Sequence, residues 1–169
     1  MSLQSLFFRT IVLEYSGKVV LKMKNSEKAV KLFTDGYNCA QAVFGAFAED
    51  IGFDEATALK IAAPFGGGFG RQREVCGAVS GMLMAFGYLY GYETPETGEI
   101  KMEHYEKTRE LCDKFKEING SILCREILKN AEVGGAPAQR TPEYYKERPC
   151  DRCVRTASEI LEEYIKNHK

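Results

Sequence analysis

The sequence predicts a mainly α fold: a single-domain helical bundle around a central Gly-rich apolar helix, preceded by a short N-terminal β-hairpin. Three observations carry this. From Ser26 onward, apolar residues recur at three- and four-residue spacing, with Ser, Asn, Asp and Gly at the breaks, where helix caps and stops belong. Glu74 to Tyr92 is far more apolar than its neighbours and carries no charge from Val75 to Tyr92, so it reads as the buried centre. Residues 7–23 are rich in β-branched and aromatic residues around Ser16-Gly17, the pattern of a hairpin.

Taken in order, that hairpin is marginal alone in water and is expected to dock on the body or on a second subunit. Ser26 is expected to cap a first helix with Ala29, Val30 and Phe33 inward, Lys28 and Lys31 outward, and Gly36 at its end. Asn38 is expected to cap a second over 39–50, with Cys39, Ala40, Val43, Phe44 and Phe47 on one face. Asp54 starts a third through Ile61, which Pro64 and the following glycines break. The apolar helix over 74–92 follows; Gly77/Gly81 and Gly87/Gly91 are small-residue faces that let another helix approach closely. Thr94-Pro95-Glu96 opens a long charged helix to Ile118, striped by Tyr105, Leu111, Cys112, Phe115 and Ile118 and stopped by Asn119-Gly120. Ser121 caps the helix bearing Cys124, Ile127 and Leu128. Residues 131–149 read as loop. The last helix runs from Cys150 to Lys166, with Val154, Ala157, Ile160, Leu161 and Tyr164 inward and Glu162 and Glu163 outward. The division is residues 1–25 as an N-terminal extension and 26–169 as one helical cysteine-cluster domain.

Composition narrows the function classes. A chain of 169 residues at 44% hydrophobic and 28% charged buries a core of ordinary size, and a net charge of −1 without basic blocks argues against nucleic acid and membrane surfaces. The uncharged run touches the lower limit of a membrane span, but Ser80 and its glycines suit a buried bundle helix, so no span is expected. Two histidines, His104 and His168, are too few for histidine-based catalysis or metal binding. With no secretory leader in the sequence as given, six cysteines point to cytoplasmic metal or redox chemistry rather than a disulfide framework.

Placing the cysteines on the helices is the main functional inference. Cys39, Cys76, Cys124 and Cys150 fall at four helix starts and continue onto inward faces. A helix N-terminus carries unpaired N–H groups and partial positive charge, which favour the thiolate that attacks disulfides and binds soft metals. Arg71, Arg73 and Arg125 stand beside these cysteines and add to that field. Cys112, mid-stripe, reads as core. Cys150-Asp151-Arg152-Cys153 is a C-x-x-C whose spacing leaves open which of its cysteines joins the cluster. The loop Gly66-Gly67-Gly68-Phe69-Gly70 has no following Gly-Lys-Ser/Thr, so it reads as a backbone approach to a cluster or substrate rather than a nucleotide cradle.

The order of "GYNCAQAV", the glycine loop, Cys76-Gly77-Ala78-Val79-Ser80-Gly81, "NGSILCREIL" and "CDRCVRTASEIL" resembles the redox-active protein family named for a C, CGAxxG, C, C pattern, over roughly residues 26–165. The resemblance implies redox or cluster chemistry at Cys39, Cys76, Cys124 and Cys150, with Cys150 preferred to Cys153. Those four are the candidate catalytic residues and metal ligands, and Gly67, Gly68, Arg71 and Gly77 the candidate cofactor contacts. Two mechanisms stay open: a dithiol/disulfide couple, for example Cys39 with Cys76, and a four-thiolate iron–sulfur cluster. The alternative is a non-catalytic helical protein with structural zinc or inert buried cysteines. A redox partner of unknown identity and a homodimer complete the expectations.

Overall fold

A computed structural model describes residues 11–15, 18–95, 98–129 and 131–168. The hairpin expected over residues 7–23 takes in 7–10 and 16–17, which lie outside the described residues; of it, only the antiparallel pairing of β1 (Ile11–Tyr15) with β2 (Lys18–Lys22) is given. The rest is helical: α1 Asn25–Thr34, α2 Cys39–Ala46, α3 Glu55–Ala62, α4 Gly77–Tyr90, α5 Glu99–Asn119, α6 Cys124–Leu128, α7 Pro142–Glu147 and α8 Cys150–Asn167. Helix α2 packs against α1, α3, α4 and α8, and α8 reaches α1, α4 and α5, so the core lies where α2, α4 and α8 meet.

Local chemistry sets these boundaries. The Asn38 side chain accepts from Ala40 N and Gln41 N, both at 3.0 Å, while Gln41 returns a bond to Asn38 N–H, a complete capping box. Asp54 caps α3 through Thr57 N at 2.9 Å. Helix α1 starts two residues earlier than expected: Lys24 is its N-cap, without a side-chain bond, and Ser26 is buried inside its first turn with its N–H on Glu162 Oε1 at 3.1 Å. Glu162, expected outward, is thereby half-buried. Thr141 caps α7, a short helix inside the stretch read as loop, through Tyr144 N. Ser121 does not cap α6; its hydroxyl accepts from Leu123 N–H at 3.0 Å and shapes the turn before it.

The apolar faces follow the pattern, with exceptions. Helix α2 is buried nearly all round, through Ala40, Ala42, Val43, Phe44, Gly45 and Ala46, so it shares the centre with α4. On α5, Leu111, Phe115 and Asn119 are buried, whereas Tyr105 and Ile118, expected in the stripe, are 48% and 58% exposed. A 21-residue helix turns past one narrow contact, and both residues lie at its margins. Among the described residues no helix is long and apolar enough to cross a membrane.

Gly77 and Gly81 set the α2–α4 approach. A Cβ on Gly81 would lie 2.8 Å from Ala40 O and 2.9 Å from Val43 Cβ, and one on Gly77 3.1 Å from Ala40 N and 3.2 Å from Cys39 Cβ. The second small-residue pair does not pack: nothing lies within 4 Å of a Cβ on Gly87, and one on Gly91 would meet its own helix at Gly87 O.

Candidate functional site

The glycine loop is a left-handed turn. Gly67, Gly68, Phe69, Gly70 and Arg71 all have φ between 58° and 69°, and Arg73 has φ 63°. Three of these are not glycine, and an L-residue in this region costs roughly 1–2 kcal/mol. The turn is closed by Arg73 N–H to Gly67 O and Glu74 N–H to Gly68 O, both 3.2 Å. Gly68 is required twice, by its φ of 69° and because a Cβ would come within 2.9 Å of Cys124 Cβ and 2.7 Å of Glu74 N.

The chain leaves this turn extended and pairs with the segment before α6. Cys76 N–H donates to Ile122 O at 2.8 Å, Cys124 N–H to Glu74 O at 2.7 Å and Arg125 N–H to Arg73 O at 3.0 Å, around a bridge between Val75 and Leu123. This short ladder clamps the start of α4 to the start of α6 and fixes Cys76 beside Cys124. Cys76 is itself the N-cap of α4, so that helix begins three residues later than expected. Gly77 brings the same point against Cys39 at the start of α2, and Cys150 and Cys153 arrive on the first turn of α8.

Five thiols therefore converge, and they meet in pairs. Cys39 and Cys150, and Cys76 and Cys153, are close enough for each to shift its partner's protonation, and Cys124 feels the charge of Cys76 and Cys150. Of the C-x-x-C pair, Cys150 lines an open cavity with Cys39, while Cys153 is 1% exposed and bonds Asn119 Oδ1 at 3.6 Å. Asn119 also accepts from Arg152 Nε at 3.3 Å. Cys112 sits half-buried at the core's edge beside Asp113, apart from the cluster, as its place in the stripe indicates.

The expectation of four lowered thiols is corrected to one. Its hydrogen bond to Cys150, then burial, then neighbouring thiolate charge push Cys39 well up. The bond to Cys153 and burial do the same to Cys76. Burial raises Cys124 despite the bond it receives from Arg73. Only Cys150 is lowered among these, by the bond from Cys39 first and then by Arg148 and Arg140. Helix N-termini favour thiolates, but sulfurs this close cannot all ionise, so one carries the charge and its neighbour the proton.

The cavity, of about 190 Å³, is lined by Cys39, Cys124 and Cys150, by Gly67 of the left-handed turn, by Tyr144, and by Arg71, Arg73, Arg140 and Arg148. Arg71 Nε donates to Gly134 O at 2.7 Å and Arg73 Nε to Glu132 O at 2.8 Å, which pins the loop before α7 over the turn. Arg140 lies 4.7 Å from the ring centroids of Phe33 and Tyr144 and donates to Tyr37 O at 3.2 Å. Arg148 lies 4.8 Å from the other partner of this stack, the Tyr144 ring. Sequence reasoning missed Arg140, Tyr144 and Arg148, which sit in the stretch read as loop; the signal was present as two arginines around a tyrosine pair just before Cys150. It also placed Arg125 in the field, whereas Arg125 is exposed and paired with Glu74 at 2.7 Å. Gly68 and Gly77 shape the site without lining the cavity.

A four-thiolate metal or cluster needs its sulfurs disposed around one point. Here they meet as two pairs, and among the described residues no group of three or more Cys, His, Asp and Glu is disposed to hold a metal ion.

A family model described as "Putative redox-active protein (C_GCAxxG_C_C)" matches residues 37–164. Its label writes Gly before Cys in the central motif, where this chain has Cys76-Gly77. No curated protein and no solved structure matches the chain.

Proposed function

The chain belongs to this redox-active family, and from that premise we propose that it is a dithiol–disulfide oxidoreductase with Cys150 as the attacking thiolate and Cys39 as the resolving thiol. The observation that carries this is the Cys39–Cys150 pair itself: two thiols side by side on the wall of one cavity, with Arg140 and Arg148 on the same wall, and close enough for each to shift the other's protonation. Of the two ways the chemistry was left open, this favours the couple over the cluster and replaces Cys39–Cys76 by Cys39–Cys150 as the couple.

Each partner has its role from its surroundings. The thiolate is the nucleophile in thiol–disulfide exchange, and Cys150 is the sulfur stabilised in that form. Cys39 holds a proton against it until Cys150 is consumed, and then lies within reach of the mixed disulfide. Cys76 and Cys153, buried beneath, form a second thiol pair without access from the cavity. Cys124 lies at the cavity wall under Arg73.

The test is mild oxidation of the reduced protein with one equivalent of diamide, followed by alkylation and peptide mapping. The expected product is an intramolecular Cys39–Cys150 disulfide, absent from Cys150→Ser. Six thiols that stay free and alkylate slowly would overturn the reading. So would visible absorption with stoichiometric iron, or stoichiometric zinc, in anaerobically prepared protein.

A further inference from the structure

The cavity has a second property that thiol pairing does not account for. Four arginines, Arg71, Arg73, Arg140 and Arg148, line it, and among the described residues no Asp or Glu does. Arg73 is 2% exposed, and its Nη2 has no hydrogen-bond partner; the Nη1 of Arg140 is likewise buried and unpartnered. A guanidinium offers five N–H donors in a fixed fork that matches a carboxylate or other oxyanion. Leaving such donors buried and unpaired is costly, and an anion in the cavity would satisfy them. At about 190 Å³ the space falls below the ~300 Å³ at which drug-sized ligands begin.

We propose that the cavity takes a small anionic disulfide, a carboxylate-bearing low-molecular-weight compound whose oxyanion sits on Arg73 and Arg140 while its sulfur–sulfur bond faces Cys150. This rests on the dithiol reading and adds the substrate's charge class to it. The Cys150 thiolate attacks one sulfur of the disulfide; a bond forms to that sulfur, the substrate's sulfur–sulfur bond breaks, and the first small thiolate departs. Cys39 gives its proton to that departing thiolate and attacks Cys150 Sγ, releasing the second small thiolate and leaving the Cys39–Cys150 disulfide. The substrate gains two electrons and the two cysteines lose them. An external dithiol in excess returns the protein to its reduced form.

The experiment compares three disulfides of similar size: 3,3′-dithiodipropionate (anionic), bis(2-hydroxyethyl) disulfide (neutral) and cystamine (cationic). Each rate of Cys39–Cys150 disulfide formation is divided by the same compound's rate with free 2-mercaptoethanol. The normalised anionic rate is expected to exceed the neutral one about ten- to hundredfold, the size of one or two charge-assisted hydrogen bonds, with cystamine slowest. Arg140→Gln, checked for folding by circular dichroism, should collapse the anionic-to-neutral ratio toward one. Arg148→Gln serves the same purpose if the first variant does not fold. Equal normalised rates for the three probes, with the disulfide still forming, would overturn the anion site and leave the dithiol couple standing. If none of the probes oxidises the pair, the dithiol reading fails as well.

Discussion

Replacing Gly68 by alanine tests whether the left-handed turn builds the thiol site. Two costs add. At φ 69° an L-residue loses roughly 1–2 kcal/mol to the backbone alone. The new Cβ would also stand 2.7 Å from Glu74 N, 2.9 Å from the Arg73 carbonyl carbon and 2.9 Å from Cys124 Cβ. Two of these are backbone atoms held by the ladder to residues 122–125, so they cannot yield as a flexible side chain would. Forcing a methyl into such a site costs about 1–3 kcal/mol, so Gly68→Ala should lose about 2–5 kcal/mol in all. Gly70→Ala is the matched control: its φ is 58°, but nothing lies within 4 Å of its Cβ, and only the backbone cost of about 1–2 kcal/mol applies. Urea unfolding under reducing conditions measures both. In the native state, Gly68→Ala should also speed alkylation of Cys124, the side chain it displaces. If the two variants are equally stable and label alike, the packed turn does not hold Cys124 and the reasoning is wrong.

Three further outcomes are expected. Cys39, Cys76 and Cys124 keep their protons to higher pH folded than unfolded, and only Cys150 does the reverse. Above an unfolded thiol pKa of about 8.5 the denatured chain therefore binds fewer protons than the native one, so stability falls as pH rises through that range; urea midpoints between pH 7.5 and 10 should decline, and Cys76→Ala should flatten the decline. Cys39→Ala removes the main hydrogen bond that stabilises the Cys150 thiolate, so the pH for half-maximal alkylation of Cys150 should move up by a measurable step, whereas an unchanged profile would leave the arginines as the dominant cause. Asn38→Ala removes the Oδ1 that accepts from two N–H groups at the start of α2 and the bond from Nδ2 to Ala63 O at 3.0 Å, and should cost about 1–2 kcal/mol in urea unfolding.

Much of the scaffold was legible because it depends on local chemistry. Asn38, Asp54 and the residues after Pro149 cap or start helices through contacts within a few positions in sequence, and the inward faces of α2 and α8 follow from their periodicity. The helix-start placement of Cys39, Cys76, Cys124 and Cys150 was readable for the same reason. What was not readable depends on pairing between distant segments. The ladder between Arg73–Cys76 and Ile122–Arg125 leaves no periodic trace, yet it decides that Cys76 caps α4 and lies beside Cys124. The pairing of Cys39 with Cys150, and of Cys76 with Cys153, follows from how α8 settles across α2 and α4, which spacing does not encode. Helix-start position also suggested four thiolates; burial and mutual repulsion, both products of the tertiary fold, leave one.

The departures from local preference are concentrated at one place. Phe69, Arg71, Arg73 and Lys129 are the non-glycine residues with positive φ among the described residues. Arg71 and Arg73 line the cavity, Phe69 lies in the turn beneath it, and Lys129 follows the lining residue Leu128. The two orphaned guanidinium nitrogens belong to Arg73 and Arg140, in the same wall. Each such feature opposes folding by an amount of order 1–3 kcal/mol. A bundle whose apolar faces are satisfied elsewhere does not need them for stability. Glycine at these positions would relieve the strain, and serine at the thiols would keep a hydroxyl donor and acceptor in place of each sulfur. Strain, buried positive charge and a polarised thiol pair thus coincide around one small space. That coincidence has a physical account if the space binds something negative beside a reactive sulfur, and none if the cysteines are only core filling. The Arg140→Gln ratio measurement bears on this point most directly, because it alters the charge of the wall while leaving all six sulfurs in place.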